Sequence, residues 1–128
     1  MRDYQPQLNN PYVLPKTLYR RVLAVIRDYD RQKEEMRSIL FDTPNNDGIR
    51  SGKIGKPSED AALRIAQHAG DVELVDAALI SSVPAEYRKG VFDNVRYGTK
   101  FPEIAHYKTW LRYRQRFIFE TAKKLNIL

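Results

Sequence analysis

The sequence predicts an all-α fold, and three observations carry that prediction. Apolar residues recur three or four apart through most of the chain, the spacing of a buried helical stripe. No stretch of useful length alternates apolar and polar residues as a half-buried strand would. Pro15 and Pro84 fall where helices open, and Gly98 where one stops. At 128 residues, 42% of them hydrophobic, the chain suits one small helical domain with a modest core.

Residues 1–13 are polar and read as a mobile arm, with Tyr4 and Tyr12 available to pack. The arm has no apolar core and so is not a signal peptide. Pro15 suits the opening of a helix, because its missing N–H would find no intrahelical partner there. A long helix is expected over 16–40, with Leu18, Val22, Val25, Ile26, Tyr29, Met36 and Leu40 on its apolar side. Twenty-five residues make roughly 37 Å of helix. It serves either as a bundle backbone or as a homodimerisation arm, and the sequence leaves both open.

Residues 41–57 break the period with three Gly, two Pro, two Asn and two Asp. They read as a flexible loop, in which Arg50, Lys53 and Lys56 could touch phosphate. Ser58 then has the character of an N-cap, with Glu59 and Asp60 favouring a helix start. Ala62, Ile65, Ala66 and Ala69 continue the helix, and Gly70 is expected to break or kink it before Val72, Val75, Ala78 and Leu79. Pro84 opens a helix over 85–97 and Gly98 stops it. A short helix through Glu103, Ile104 and Ala105 and a last helix over 110–126 complete the order. The expected organisation is an arm and long helix (1–40), the loop (41–57), and a helical region (58–128) forming one structural unit with the long helix.

The charge is uneven. Residues 84–128 hold ten Lys and Arg against four acids, whereas residues 1–83 hold twelve of each, so the net +6 lies in the tail. On a helical wheel of the last helix, Tyr107, Leu111, Ile118, Ala122 and Leu125 share one face, with Trp110 and Phe117 at its edge. Lys108, Arg112, Arg116 and Lys123 form a row on the other side, flanked by Thr109 and Tyr113. A cationic row on an amphipathic helix can reach phosphates on both walls of a DNA groove, and Arg can read a guanine edge. Phe101 to Ala105 would supply the first helix of a helix-turn-helix, with Ile104 and Ala105 packed behind the reader. Arg114 falls on the buried side, where it must pair with an acid or snorkel outward.

Other functions find few parts. There are two histidines and no cysteine, which excludes disulfides and Cys-ligated metals and fits a reducing cytosol. No phosphate-binding glycine loop, dinucleotide fingerprint or nucleophile elbow occurs. The sequence therefore predicts no enzyme, no cofactor and no metal. No run approaches the roughly 20 apolar residues of a membrane span, so a soluble cytoplasmic protein without a membrane partner is expected.

Several segments together resemble one family. Leu14-Pro15, Leu18-Tyr19-Arg20 and Ile26-Arg27-Asp28-Tyr29-Asp30-Arg31 are similar to the opening of phage transcriptional activators of the RinA/ArpU type. Asp47-Gly48-Ile49-Arg50-Ser51-Gly52, leading to Pro57-Ser58-Glu59, resembles these activators as well. The segment Pro84-Ala85-Glu86-Tyr87-Arg88-Lys89-Gly90-Val91-Phe92-Asp93-Asn94 resembles their P-x-E-Y-R-K-G motif. Thr109-Trp110, Arg116-Phe117-Ile118 and Ala122-Lys123-Lys124-Leu125 resemble the closing helix.

The resemblance is collinear from Leu14 to Leu128. It implies a phage- or prophage-encoded activator of late packaging and morphogenesis genes, working with host RNA polymerase in the bacterial cytoplasm. It also implies a helix-turn-helix similar to sigma factor region 4 over about 84–128. Glu103-Ile104-Ala105 would belong to its first helix and Thr109 to the start of its second, although only His106-Tyr107-Lys108 separates them. The implied partner is double-stranded DNA, contacted by Lys100, Lys108, Thr109, Arg112, Tyr113, Arg116 and Lys123. Arg88 and Lys89 would contact the DNA backbone or the polymerase. The alternative is a DNA-packaging component resembling a terminase small subunit, which would form a ring.

Overall fold

The computed structural model describes residues 5–7, 10–41 and 59–128. Among these the chain is all-α, with five helices: α1 (Lys16–Arg27), α2 (Tyr29–Phe41), α3 (Glu59–Ser82), α4 (Ala85–Tyr97) and α5 (Tyr107–Lys124). The loop expected over 41–57 and the cap expected at Ser58 lie outside the described residues, apart from Phe41, which ends α2. Two compact units result, one of Met1–Arg27 with Leu74–Leu128 and one of Asp28–Glu73.

The helix expected over 16–40 is interrupted at Asp28. In the first unit α1 buries Tyr19, Val22, Leu23 and Ile26. In the second unit the Asp28 carboxylate, just ahead of α2, accepts from Arg31 Nε at 2.6 Å, Arg31 Nη2 at 2.8 Å and Gln32 Nε2 at 3.0 Å. Negative charge at this point favours a new helix N-terminus. The bond from Arg31, more than any other influence, holds the Asp28 carboxyl below the usual aspartate range. Apolar spacing continues across the interruption, because one non-helical residue does not disturb a three-to-four rhythm.

Among the described residues of the second unit, the buried apolar side chains are Tyr29, Ile39, Ala61 and Val72. Gln32 Oε1 and His68 Nδ1 join α2 to α3 by a hydrogen bond. Contrary to expectation, α3 runs through Gly70 without a break. A Cβ built on Gly70 meets nothing within 4 Å. Gly70→Ala is therefore expected to stabilise α3 by about 0.5–1 kcal/mol, since alanine removes backbone entropy from the unfolded chain. A higher urea midpoint would bear this out, and a lower one would show that the glycine has a steric role.

The first unit is a three-helix core in which α1, α4 and α5 pack pairwise, joined by Val75, Ala78 and Leu79 of α3 and by Val83. Helix α4 has the expected bounds. Pro84 caps its start in extended conformation, and Gly98 ends it at φ 72°, where its N–H reaches Asn94 O. Helix α5 closes with Asn126 left-handed at φ 61°. Asn126 N bonds Lys123 O and Ile127 N bonds Ala122 O, the paired pattern that satisfies terminal carbonyls. Phe117 and Trp110 are the largest side chains sealed in this core, each contributing on the order of 2–3 kcal/mol by burial.

The described part of the N-terminal arm is not loose. Gln5 bonds both the N–H and the carbonyl of Leu14, closing the arm on itself. Buried Gln115 of α5 donates to Gln5 Oε1 and Tyr12 O, both at 2.8 Å. The Tyr12 ring meets Phe119 edge-on at 5.2 Å. Tyr4 lies outside the described residues.

Candidate nucleic-acid interface

Helix α5 is held by a stripe of Trp110, Arg114, Phe117, Ile118 and Thr121, all buried, with Gln115 and Ala122 beside it. This stripe follows the spacing of four, three, one and three expected of one helix face. It is rotated from the expected one: Tyr107 is 52% exposed, and Leu111 and Leu125 are half-buried. Three of the seven buried residues are polar, so a wheel weighted by hydrophobicity points to the wrong centre.

The rotation sorts the cations. Lys108, Arg112 and Lys123 stay exposed, as does Lys100 ahead of the helix. Among the described residues Lys100, Lys108 and Arg112 have no acidic partner, whereas Lys123 lies 3.9 Å from Glu120. Arg116 is half-buried, its guanidinium 5.9 Å from the centre of the Tyr12 ring. Thr109 is half-buried in the first turn, and the Tyr113 ring packs 4.9 Å from Tyr87. The expected row of four is thus reduced to an exposed pair, Lys108 and Arg112, with Lys123 farther along.

Arg114 lies on the buried side, as expected, and does not snorkel outward. It is 2% exposed, and donates to Asn94 Oδ1 at 2.9 Å and to the Tyr19 hydroxyl at 2.8 Å. Arg88 donates to Val83 O at 2.7 Å and Ile80 O at 3.1 Å, closing the carbonyl end of α3. Lys89 remains exposed but pairs with Asp93 at 2.7 Å. Asp93 also takes Arg96 at 3.1 Å. These contacts, led by the Lys89 bond, keep its carboxyl below the usual range.

The helix expected at Glu103–Ala105 is a turn. Asn94 Nδ2 holds Thr99 O at 2.7 Å, and Phe101 stacks on Trp110 at 5.2 Å and 8°. Held by these contacts at its start and by the His106 cap at its end, the segment has too few residues left to nucleate a helix. Ile104, expected behind the reader, is 66% exposed. Helix α5 begins three residues earlier than expected, because His106 caps it: its Nδ1 accepts from Lys108 N at 3.1 Å.

No family model, characterised protein or solved structure matches the chain.

One cationic feature escaped the sequence reading. Lys16, Arg20 and Arg21 are exposed on α1 and have no acidic partner among the described residues. Counted by unit, the first holds fifteen Lys and Arg against six acids, and the second seven against ten. The positive charge therefore belongs to a fold unit that includes α1, not to the tail alone. The signal was available, since α1 contains no acid. Counting along the chain averaged it with the acids of the second unit. Among the described residues no group of three His, Asp or Glu is placed to hold a metal ion, and no helix is long and apolar enough to cross a membrane.

Proposed function

We propose that this chain is a sequence-specific double-stranded DNA-binding activator of transcription. It would be phage- or prophage-encoded and would act with host RNA polymerase on late packaging and morphogenesis genes. The observation that carries the DNA reading is the pair Lys108 and Arg112. They lie one turn apart at the start of α5, exposed and without acidic partners among the described residues. The helix behind them is fixed by Trp110, Phe117 and Ile118, so the two cations project from a rigid support. A helix N-terminus also favours phosphate. The phage and polymerase parts of the proposal rest on the resemblance of Leu14–Leu128 to the RinA/ArpU type.

In this reading Arg112 contacts a base edge, and Lys108, Lys100 and Lys123 contact phosphates. Thr109 and Tyr113 sit at the edge of the contact. Arg116 joins only by leaving the Tyr12 ring. Arg88 is withdrawn from the list of contacts, because its guanidinium, like that of Arg114, holds the fold together. A selection from random duplexes should return an enriched site. The double variant Lys108→Ala/Arg112→Ala should bind that site at least tenfold more weakly, with unchanged helical circular dichroism. Its log–log salt slope should fall by about one, since Lys108 alone of the pair neutralises a phosphate and each contributes about 0.9. Unchanged affinity would reject this face as the reader.

A further inference from the structure

Two large apolar side chains stand at the surface just ahead of the exposed cations, and the proposal above gives them no role. Ile104 is 66% exposed and Tyr107 52%. Isolated apolar residues on a surface need no explanation, but these two are mounted on a stiff base. Trp110 is sealed in the core, Phe101 stacks flat on it, and Tyr107 meets Phe101 at 5.8 Å and 61°. The three rings form a chain from the interior to the surface. The turn carrying Ile104 is pinned at one end by Asn94 through Thr99 O and closed at the other by the His106 cap. Such a turn cannot readily fold its apolar tip back onto the core.

The surroundings say what would cover this tip. Lys100 precedes it by four residues, Lys108 follows it directly and Arg112 lies one turn farther along α5, all three exposed and without acidic partners among the described residues. Glu103 is the one acid in the sequence between Asn94 and Phe119. An apolar point on a segment with several unpaired cations and one acid complements a ligand that is anionic outside and apolar within. DNA is such a ligand: phosphates line the groove walls, and each thymine places a C5-methyl group on the major-groove floor. An acidic protein would match the cations but supply no reason for the apolar tip to be held rigidly beside them.

We infer that Ile104 and Tyr107 form an apolar contact point for thymine methyl groups in the major groove entered by α5. The inference rests on the DNA-binding reading and adds a second mode of recognition to it. Arg112 reads hydrogen bonds, while the tip reads methyl groups. The tip also replaces the missing first helix of a helix-turn-helix as the element that sets how deep α5 sits.

The test uses the full chain and the duplex returned by selection. Each thymine in the site is replaced in turn by deoxyuridine, which removes only the methyl group. At one or two positions the unaltered protein should lose about fourfold in affinity per methyl, the amount that burial of one such group supplies. Ile104→Ser and Tyr107→Ala should each weaken binding to the thymine site several-fold. They should also abolish the deoxyuridine penalty at a shared position and leave the salt slope unchanged. The exposure of both side chains keeps the fold safe, and unchanged Trp110 emission verifies it. If the unaltered protein binds no duplex, the DNA reading itself fails. If it binds but the variants keep the full deoxyuridine penalty, or if no thymine carries one, only the methyl contact is overturned.

Discussion

Gly90→Ala is expected to destabilise the first unit by about 1–2 kcal/mol, although alanine is the better helix former. In an open helix the exchange would gain about 1 kcal/mol. Here a Cβ at position 90 would lie 2.7 Å from Trp110 Cζ3, 2.8 Å from Trp110 Cη2 and 3.0 Å from Pro102 Cδ. The indole has little room to withdraw. Phe101 lies flat against it, and Tyr87 meets it edge-on at 4.9 Å. Trp110 Nε1 has no hydrogen-bond partner among the described residues, so packing alone fixes the ring. Overpacking a close-fitted core costs about 1–3 kcal/mol, which outweighs the propensity gain. Urea unfolding followed by Trp110 emission should show a lower midpoint with unchanged slope. The smaller ring of Trp110→Phe should relieve the clash, so the double variant, followed by circular dichroism because the chain's one tryptophan is gone, should be less destabilised than the two single losses added together. A Gly90→Ala protein as stable as the original would mean that α4 and α5 do not approach this closely.

Gly90 and Gly70 look alike in the sequence, each a lone glycine within a helical period, yet their expected substitutions have opposite signs. The difference lies in what faces them from another part of the chain, which periodicity does not record. The same division runs through the rest of the fold. The bounds of α4 were legible because Pro84 and Gly98 act locally, through backbone conformations that residue type dictates. The turn at 101–106 was not, because Phe101 and Thr99 are captured by Trp110 and Asn94, partners about nine and five residues away. In α5 the burial of Arg114 and Gln115 depends on Tyr19, Asn94, Gln5 and Tyr12, up to about 110 residues distant in sequence. A wheel sees three polar residues and turns its apolar centre away from them. As for the candidate interface, the cationic character of Lys108 and Arg112 was legible. The withdrawal of Arg88 and Arg116 was not, since each is decided by an oxygen or a ring in another segment.

Arg114→Met is expected to cost about 2–4 kcal/mol, the largest effect of any side-chain replacement considered for α5. Methionine retains much of the length and relieves the burial of a charge, so the loss does not come from an abandoned cation. It comes from what the guanidinium leaves behind. Asn94 Oδ1 and the Tyr19 hydroxyl lie on helices α4 and α1, both residues at most 4% exposed. A buried polar group stripped of its partner costs about 1–3 kcal/mol. Asn94 also holds Thr99 O, so disturbing its amide loosens the turn ahead of α5. Lysine should not rescue the site, because an ammonium lacks the planar fork that serves two acceptors on separate helices. Tyr19→Phe removes one of the orphaned groups, and combined with Arg114→Met it should therefore cost less than the two single losses added together. The same bonds set the rotation of α5. Arg112 precedes Arg114 by two residues, about 200° around the helix, so anchoring one guanidinium in the core turns the other outward. On the DNA reading proposed above, Arg114→Met should lower affinity together with stability, whereas Arg112→Ala should lower affinity in a protein of unchanged stability. An Arg114→Met protein within about 0.5 kcal/mol of the original, a shift typical of exposed positions, would show that this guanidinium does not organise the three-helix core.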